Sequence, residues 1–211
     1  MRRTLIIFAL LLTGTSSTTV FANDEDEQQR LEITGLYLDL MKDMPSTAKL
    51  INSPYPQSYT TYGAKSSIDT KSVIKGGRAL RVRVKRPGKS YDQGSNLITI
   101  GDIKQGDTLC LTFWARSINK PELNIISEFA SLGVQQSAEP YRSLFEANQA
   151  ITAEWSKYSY KAMAPETFKA GDAQIFIHYG HLKQRFEVGP TYLFNLGANV
   201  DSDFKSNACG K

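Results

Sequence analysis

The chain has 211 residues, of which 41% are apolar, 10% aromatic and 22% charged. That composition fits one globular domain and excludes the disordered and fibrous classes. Its formal charge is +4, half of it supplied by Arg2 and Arg3, which leaves too little for a nucleic-acid binder that must neutralise clustered phosphates.

Arg2 and Arg3 precede an apolar run over 5–12, and Val20 and Ala22 place small residues at the −3 and −1 positions of a processing site. This reads as a signal peptide over 1–22, cleaved before Asn23, and predicts a secreted or periplasmic protein. The run is shorter than the roughly 20 residues a spanning helix needs, and no Cys follows it, so neither a membrane span nor a lipid anchor is expected. Residues 23–29 carry four acids and two Gln and read as a solvated tail. The apolar residues Leu31, Leu36, Leu38, Leu40, Met41 and Met44 fit either a short helix or an extended segment that Pro45 ends. Residues 23–52 are thus a tail followed by an undecided element, and 53–62, with two Pro and three Tyr, are a loop or a first edge strand.

Beyond that point the pattern alternates. Leu80, Val82 and Val84 interleave with Arg81, Arg83 and Lys85, and Pro87-Gly88 follows as a turn. Leu109, Leu111, Phe113 and Ala115 occupy one face of the next long strand, opposite Cys110, Thr112, Trp114 and Arg116. Further strands are predicted near 97–100, 155–160, 173–179, 185–188 and 192–196, separated by Gly and Pro, while 144–153 has the composition of a helical turn. Short strands at near-regular spacing without a long amphipathic helix between them predict an all-β fold, a two-sheet antiparallel sandwich over 53–199, with 200–211 as a tail. Two cysteines in an exported protein suggest a Cys110–Cys209 disulfide. The competing reading is a buried thiol at Cys110 and a free one at Cys209.

Four strings in order carry a resemblance. They are Gly77-Arg78-Ala79-Leu80-Arg81-Val82, the run from Lys104 through Gly106 to Phe113-Trp114-Ala115-Arg116, Trp155-Ser156-Lys157-Tyr158, and the stretch from Val188 to Asn195. Together they resemble the jelly-roll carbohydrate-binding modules of families 4, 9 and 22, which are galactose-binding-domain-like sandwiches. The resemblance implies non-catalytic binding of a polysaccharide or oligosaccharide, through aromatic and polar groups on the concave face of one sheet or on its rim. No cofactor is expected, a structural calcium being the one candidate, and the chain is expected to be a monomer. Asn195 departs from the aspartate usual in the final strand, and Tyr91 stands where a tryptophan is frequent.

Alternation then nominates residues. With Leu109, Leu111 and Phe113 inside, Trp114 and Arg116 point outward; with Ile175, Ile177 and Tyr179 inside, so do Gln174, Phe176 and His178. Trp114, Arg116 and His178 are therefore candidates for one sugar-binding surface, with Tyr91 and Asp92 on a loop beside it. Each has a plainer reading. Trp114 would cover the sheet as part of a second apolar patch, Arg116 would pair with Glu187, His178 would be a satisfied structural histidine, and Trp155 would belong to the core. Two other functions compete with glycan binding: a protein-interaction module of the cell envelope and a jelly-roll polysaccharide lyase using His178, Tyr179, Gln174 and Arg185. Against the lyase, His178 and Tyr179 are adjacent on a strand and point to opposite faces. The carboxylates Glu122, Glu128, Glu139, Glu146, Glu154 and Asp172 are too scattered for a glycosidase pair.

Overall fold

The computed structural model describes residues 17–119, 126–198, 200 and 203–209, with side chains from residue 26 onward. Arg2, Arg3, the run 5–12 and Glu122 lie outside the described residues. Among the described residues eleven strands form two antiparallel sheets. In the six-stranded sheet the order is β3 (Lys65–Asp69), β4 (Ala79–Arg83), β11 (Arg185–Asn195), β6 (Thr108–Ser117) and β9 (Ser156–Met163), with β1 (Lys49–Leu50) also paired to β11. In the five-stranded sheet the order is β2 (Thr60–Tyr62), β5 (Gly94–Ile98), β10 (Ala173–His178), β7 (Ser127–Gln136) and β8 (Ser143–Ile151). The expected all-β sandwich is what the chain forms. Its first strand begins at Lys49, earlier than position 53, and of residues 144–153 those up to Ile151 are strand rather than helical turn.

The inner faces of the two sheets meet in one core, where Leu109, Leu111, Phe113 and Ala115 of β6 pack with Ile175 and Ile177 of β10 and Phe129, Leu132 and Val134 of β7. Phe113 lies between Phe129, at a centroid distance of 6.1 Å, and Tyr158, at 5.5 Å. The two short strands expected over 185–188 and 192–196 are one continuous strand. Four residues of β11, Val188 to Thr191, face three of β6, Ala115 to Phe113. That bulge shifts the parity by one, so that Val188 and Leu193 both enter the core although five positions apart. Pro190, which has no N–H for the ladder, stands within it.

A second cluster forms outside the six-stranded sheet. Helix α1 (Ser17–Met41) lays Ile33, Leu36 and Leu40 against Tyr192, Phe194 and Cys110, a stripe at the 3–4 spacing of a helix face. The Tyr192 hydroxyl donates to the Ile33 carbonyl at 3.0 Å. Leu31 and Leu38, on the other side of α1, are exposed. Residues 23–29 are therefore helical rather than an irregular tail. The segment 203–209 is likewise fastened rather than loose. Cys209 is disulfide-bonded to Cys110, closing a loop of 99 residues, the Thr112 hydroxyl bonds the Ala208 carbonyl, and Lys157 Nζ donates to Asn207 Oδ1 at 2.7 Å. Among the described residues no helix is long and apolar enough to cross a membrane.

Candidate functional site

The sequence places Trp114, Arg116 and His178 on one surface; the structure separates them. Trp114 and Arg116 stand on β6, outside the six-stranded sheet, and His178 stands on β10 in the other sheet. Alternation settles which face of a strand is outward, but not which sheet the strand joins. Trp114 packs into the cluster beneath α1, edge-on to Tyr192 at 6.2 Å, so it covers the sheet and offers no free ring. Arg116 donates from Nε to Glu187 Oε2 at 2.8 Å, and its guanidinium lies 5.1 Å from the centre of the Trp155 ring. Glu187 is fully buried and is held from its other side by Arg81 Nε at 2.7 Å, while Arg81 also reaches Asp69 at 2.6 Å. Both guanidinium groups are thereby committed to a carboxylate that could not stay buried unpaired. Trp155 is half-buried and belongs to neither core cluster, so its expected core position is replaced by one under Arg116.

The outer face of the five-stranded sheet is different. Register aligns Tyr62, Gly94, His178 and Ser131 in one row. A second row is Thr60, Asn96, Phe176, Gly133 and Glu146, and a third is Ile98, Gln174, Gln135 and Ser143. All three rows have the parity opposite to the core residues Leu97, Ile175, Ile177, Leu132 and Val134. Phe176, Gln174, Ser131 and Gln135 are nevertheless 2%, 4%, 6% and 8% exposed, and Phe176 belongs to neither core cluster. Outward side chains on an outer layer become buried when neighbouring side chains overhang them, so these residues form a covered layer beneath half-buried Tyr62, Asn96 and His178.

Two aromatic groups shape that face. Gly94 carries no side chain because a Cβ there would lie 2.7 Å from Tyr62 Cζ and 3.0 Å from the Ile177 carbonyl oxygen, so the tyrosine ring extends across β5 toward His178. Burial, and then the neighbouring Tyr141, raise the Tyr62 pKa and keep its hydroxyl protonated. His178 sits 4.8 Å from the Phe176 ring. Burial lowers its pKa, with Glu146 opposing, which favours the neutral imidazole, a donor at one nitrogen and an acceptor at the other. Ser131 donates to Glu146 at 2.6 Å. Asn96 Oδ1 is buried without a hydrogen-bond partner among the described residues, an uncommon and unfavourable state for an amide oxygen.

Tyr91 and Asp92 lie on the loop at the end of this sheet where Gly94 pairs with His178. Tyr91 is exposed, with Lys89 Nζ 5.6 Å from its ring centre. Asp92 Oδ2 accepts from the Lys89 amide at 2.8 Å, so its carboxylate is occupied in shaping the turn. Tyr179 points into the core and bonds Ser95 Oγ at 2.9 Å, and burial raises its pKa, keeping the hydroxyl protonated. His178 and Tyr179 therefore lie on opposite faces, as alternation requires. Sequence reasoning found His178, Phe176 and Gln174 on one face. The Tyr55, Tyr59 and Tyr62 cluster could from sequence rim a cleft or hold down the N-terminus, and only Tyr62 joins this face; Asn96, Ser131, Gln135 and Glu146 were missed, because their grouping depends on strand order.

The residues around Asn195 do not fit a calcium ion. Its Nδ2 donates to Asp107 Oδ2 at 2.7 Å and to the Asp102 carbonyl at 3.1 Å, so an amide donor stands between the oxygens a cation would need. Lys49 and Lys104 line the same surface pocket of about 570 Å³. Among the described residues no three His, Cys, Asp or Glu side chains converge.

No protein-family model matches the chain, and no curated protein matches it. Among solved structures the fold is similar to part of the arabinose-bound α-L-arabinofuranosidase MgGH51, with 15% identity, a TM-score of 0.52, and coverage of 69% of this chain and 24% of that one. Similarity extends to a CBM4 structure at 20% identity, covering 72% of this chain and 96% of that one with a TM-score of 0.49. The N-terminal cellulose-binding domain of β-1,4-glucanase C from Cellulomonas fimi follows at 20% identity, covering 75% and 98% with a TM-score of 0.47. The likeness is one of fold.

Two outcomes follow from this placement. Trp114→Ala removes packing beneath α1 and should lower unfolding free energy by roughly 2–4 kcal/mol in denaturant titration; a loss below about 0.5 kcal/mol, the scale of ordinary surface substitutions, would show that the ring packs against nothing important. Addition of calcium or of EDTA should leave the thermal midpoint unchanged, and a rise with calcium would contradict the amide-filled site.

Proposed function

We propose that the chain is a non-catalytic, exported carbohydrate-binding module that takes a polysaccharide or oligosaccharide across the outer face of its five-stranded sheet. The observation that carries this reading is the grouping of half-buried Tyr62, Asn96 and His178 on that face over a layer of buried Phe176, Gln174, Gln135 and Ser131. Sugars present apolar C–H faces to aromatic rings and hydroxyls to planar polar groups, and Tyr62 supplies the ring while Asn96 and His178 supply the polar groups, with Phe176 supporting them from beneath. The unpartnered Asn96 Oδ1 supports the reading further, because a sugar hydroxyl is the donor it lacks. The resemblance in motif order points the same way, and the leader over 1–22 fits export. A protein partner would more naturally meet an apolar patch than buried amides. A lyase would need a base and an acid on one face, whereas Tyr179 is in the core.

Affinity electrophoresis of the mature chain across neutral plant and algal polysaccharides tests this. Retardation by at least one of them is expected, with Tyr62→Ala weakening it by about 1–3 kcal/mol, the scale of stacking on one aromatic ring, and Asn96→Ala weakening it as well. No retardation across the panel, or wild-type binding by both folded variants, would refute the assignment.

A further inference from the structure

Among the described residues, the opposite side of the sandwich carries a cationic row without acidic partners. On the outer face of the six-stranded sheet, beyond the part under α1, Lys65 of β3 pairs with Arg83 of β4, and Arg83 pairs with Arg185 of β11. Their parity is opposite to the core residues Val82 and Phe186, so all three side chains project outward, and all three are exposed. Like charges directly opposed across strands destabilise a sheet. Among the described residues none of the three makes an ion pair. The acids of the next two rows, Glu187 beside Arg81 and Asp69 beside Ala79, are already held by Arg81 and Arg116. Lys85, two positions past the end of β4, and Lys183, two positions before β11, are exposed too and extend the positive surface.

We propose that this row binds an acidic polysaccharide, a chain bearing carboxylate or sulfate groups, at a surface separate from the neutral-sugar face. Adjacent strands hold the cations about 4.8 Å apart, a spacing comparable with the length of one sugar unit, so a repeating anion on an extended glycan meets successive side chains. The two arginines can each engage a carboxylate or sulfate with two parallel hydrogen bonds. A single-stranded nucleic acid would need rings on which bases stack, and no aromatic side chain stands in the row. A membrane would need apolar side chains beside the cations, and none projects from these positions. The preference for a glycan over other polyanions rests on the function proposed above; the cationic surface does not.

The test uses the mature chain and three probes at low and high salt: polygalacturonate, dextran sulfate and duplex DNA. Binding of at least one acidic polysaccharide at low salt is expected, falling as salt screens the charges, and stronger than binding of DNA. The double variant Arg83→Gln/Arg185→Gln should lose affinity for it on the order of tenfold or more, while any binding of a neutral glycan at the five-stranded face is unchanged. Polygalacturonate and dextran sulfate distinguish carboxylate from sulfate as the anion. Absence of acidic-polymer binding at low salt, equal binding by a folded double variant, or DNA binding as tight as the glycans and lost in the same variant would overturn the proposal. Failure of neutral-glycan binding alone would remove the assignment of the five-stranded face and leave this surface standing.

Discussion

The disulfide between Cys110 and Cys209 decides which side of the sandwich is free. It ties the C-terminal segment to β6, the central strand of the six-stranded sheet, and α1 packs beside it on the same face. In the chain-entropy account, closing a loop of 99 residues stabilises by about 4–5 kcal/mol, comparable with much of a domain's net stability. Tyr192, Phe194 and Trp114, which would otherwise form an exposed apolar patch, are covered by α1 and this segment together. Only the five-stranded sheet keeps an outer face without a helix or a terminal segment laid across it among the described residues.

That free face is not built as an ordinary solvated surface. An exposed strand face usually alternates long charged side chains outward, yet here the outward positions hold Phe176, Gln174, Gln135 and Ser131, all buried. Burying polar groups without full pairing costs stability, and Asn96 Oδ1 bears that cost visibly. The arrangement is one that a ligand with many hydroxyl groups would complete. The Glu187 network on the other sheet is the contrasting case, since Arg81 and Arg116 pair its buried carboxylate from both sides and leave nothing for a ligand to add.

Much of this was legible in the sequence because strands announce themselves by period two. Leu80 and Val82, Leu109 to Phe113 and Ile175 to Ile177 were assigned to the core from alternation alone, and the inward Tyr179 follows from its neighbour His178. The strand β7 was not legible, for a physical reason: a register shift between Phe129 and Leu132 places core residues three apart and breaks the alternation. Helix α1 was obscured because Leu31 and Leu38 lie off the buried stripe of Ile33, Leu36 and Leu40, blurring its period. Trp114 and Arg116 were correctly placed outward, and their alternative roles, covering the sheet and pairing with Glu187, are the ones they occupy. The joint surface with His178 failed because periodicity carries no information about which sheet a strand enters; that is fixed by long-range pairing.

Mapping backbone amide shifts by nuclear magnetic resonance, while titrating in a glycan that the protein retains, tests the central assignment most directly. The largest changes should fall on Tyr62, Gly94, Asn96, Ser131, Gly133, Gln174, Phe176 and His178, with both tryptophan indole signals undisturbed, because Trp114 and Trp155 lie outside the other sheet. Changes centred on β6, β9 and α1, or spread over the disulfide-bonded segment near Cys209, would contradict it.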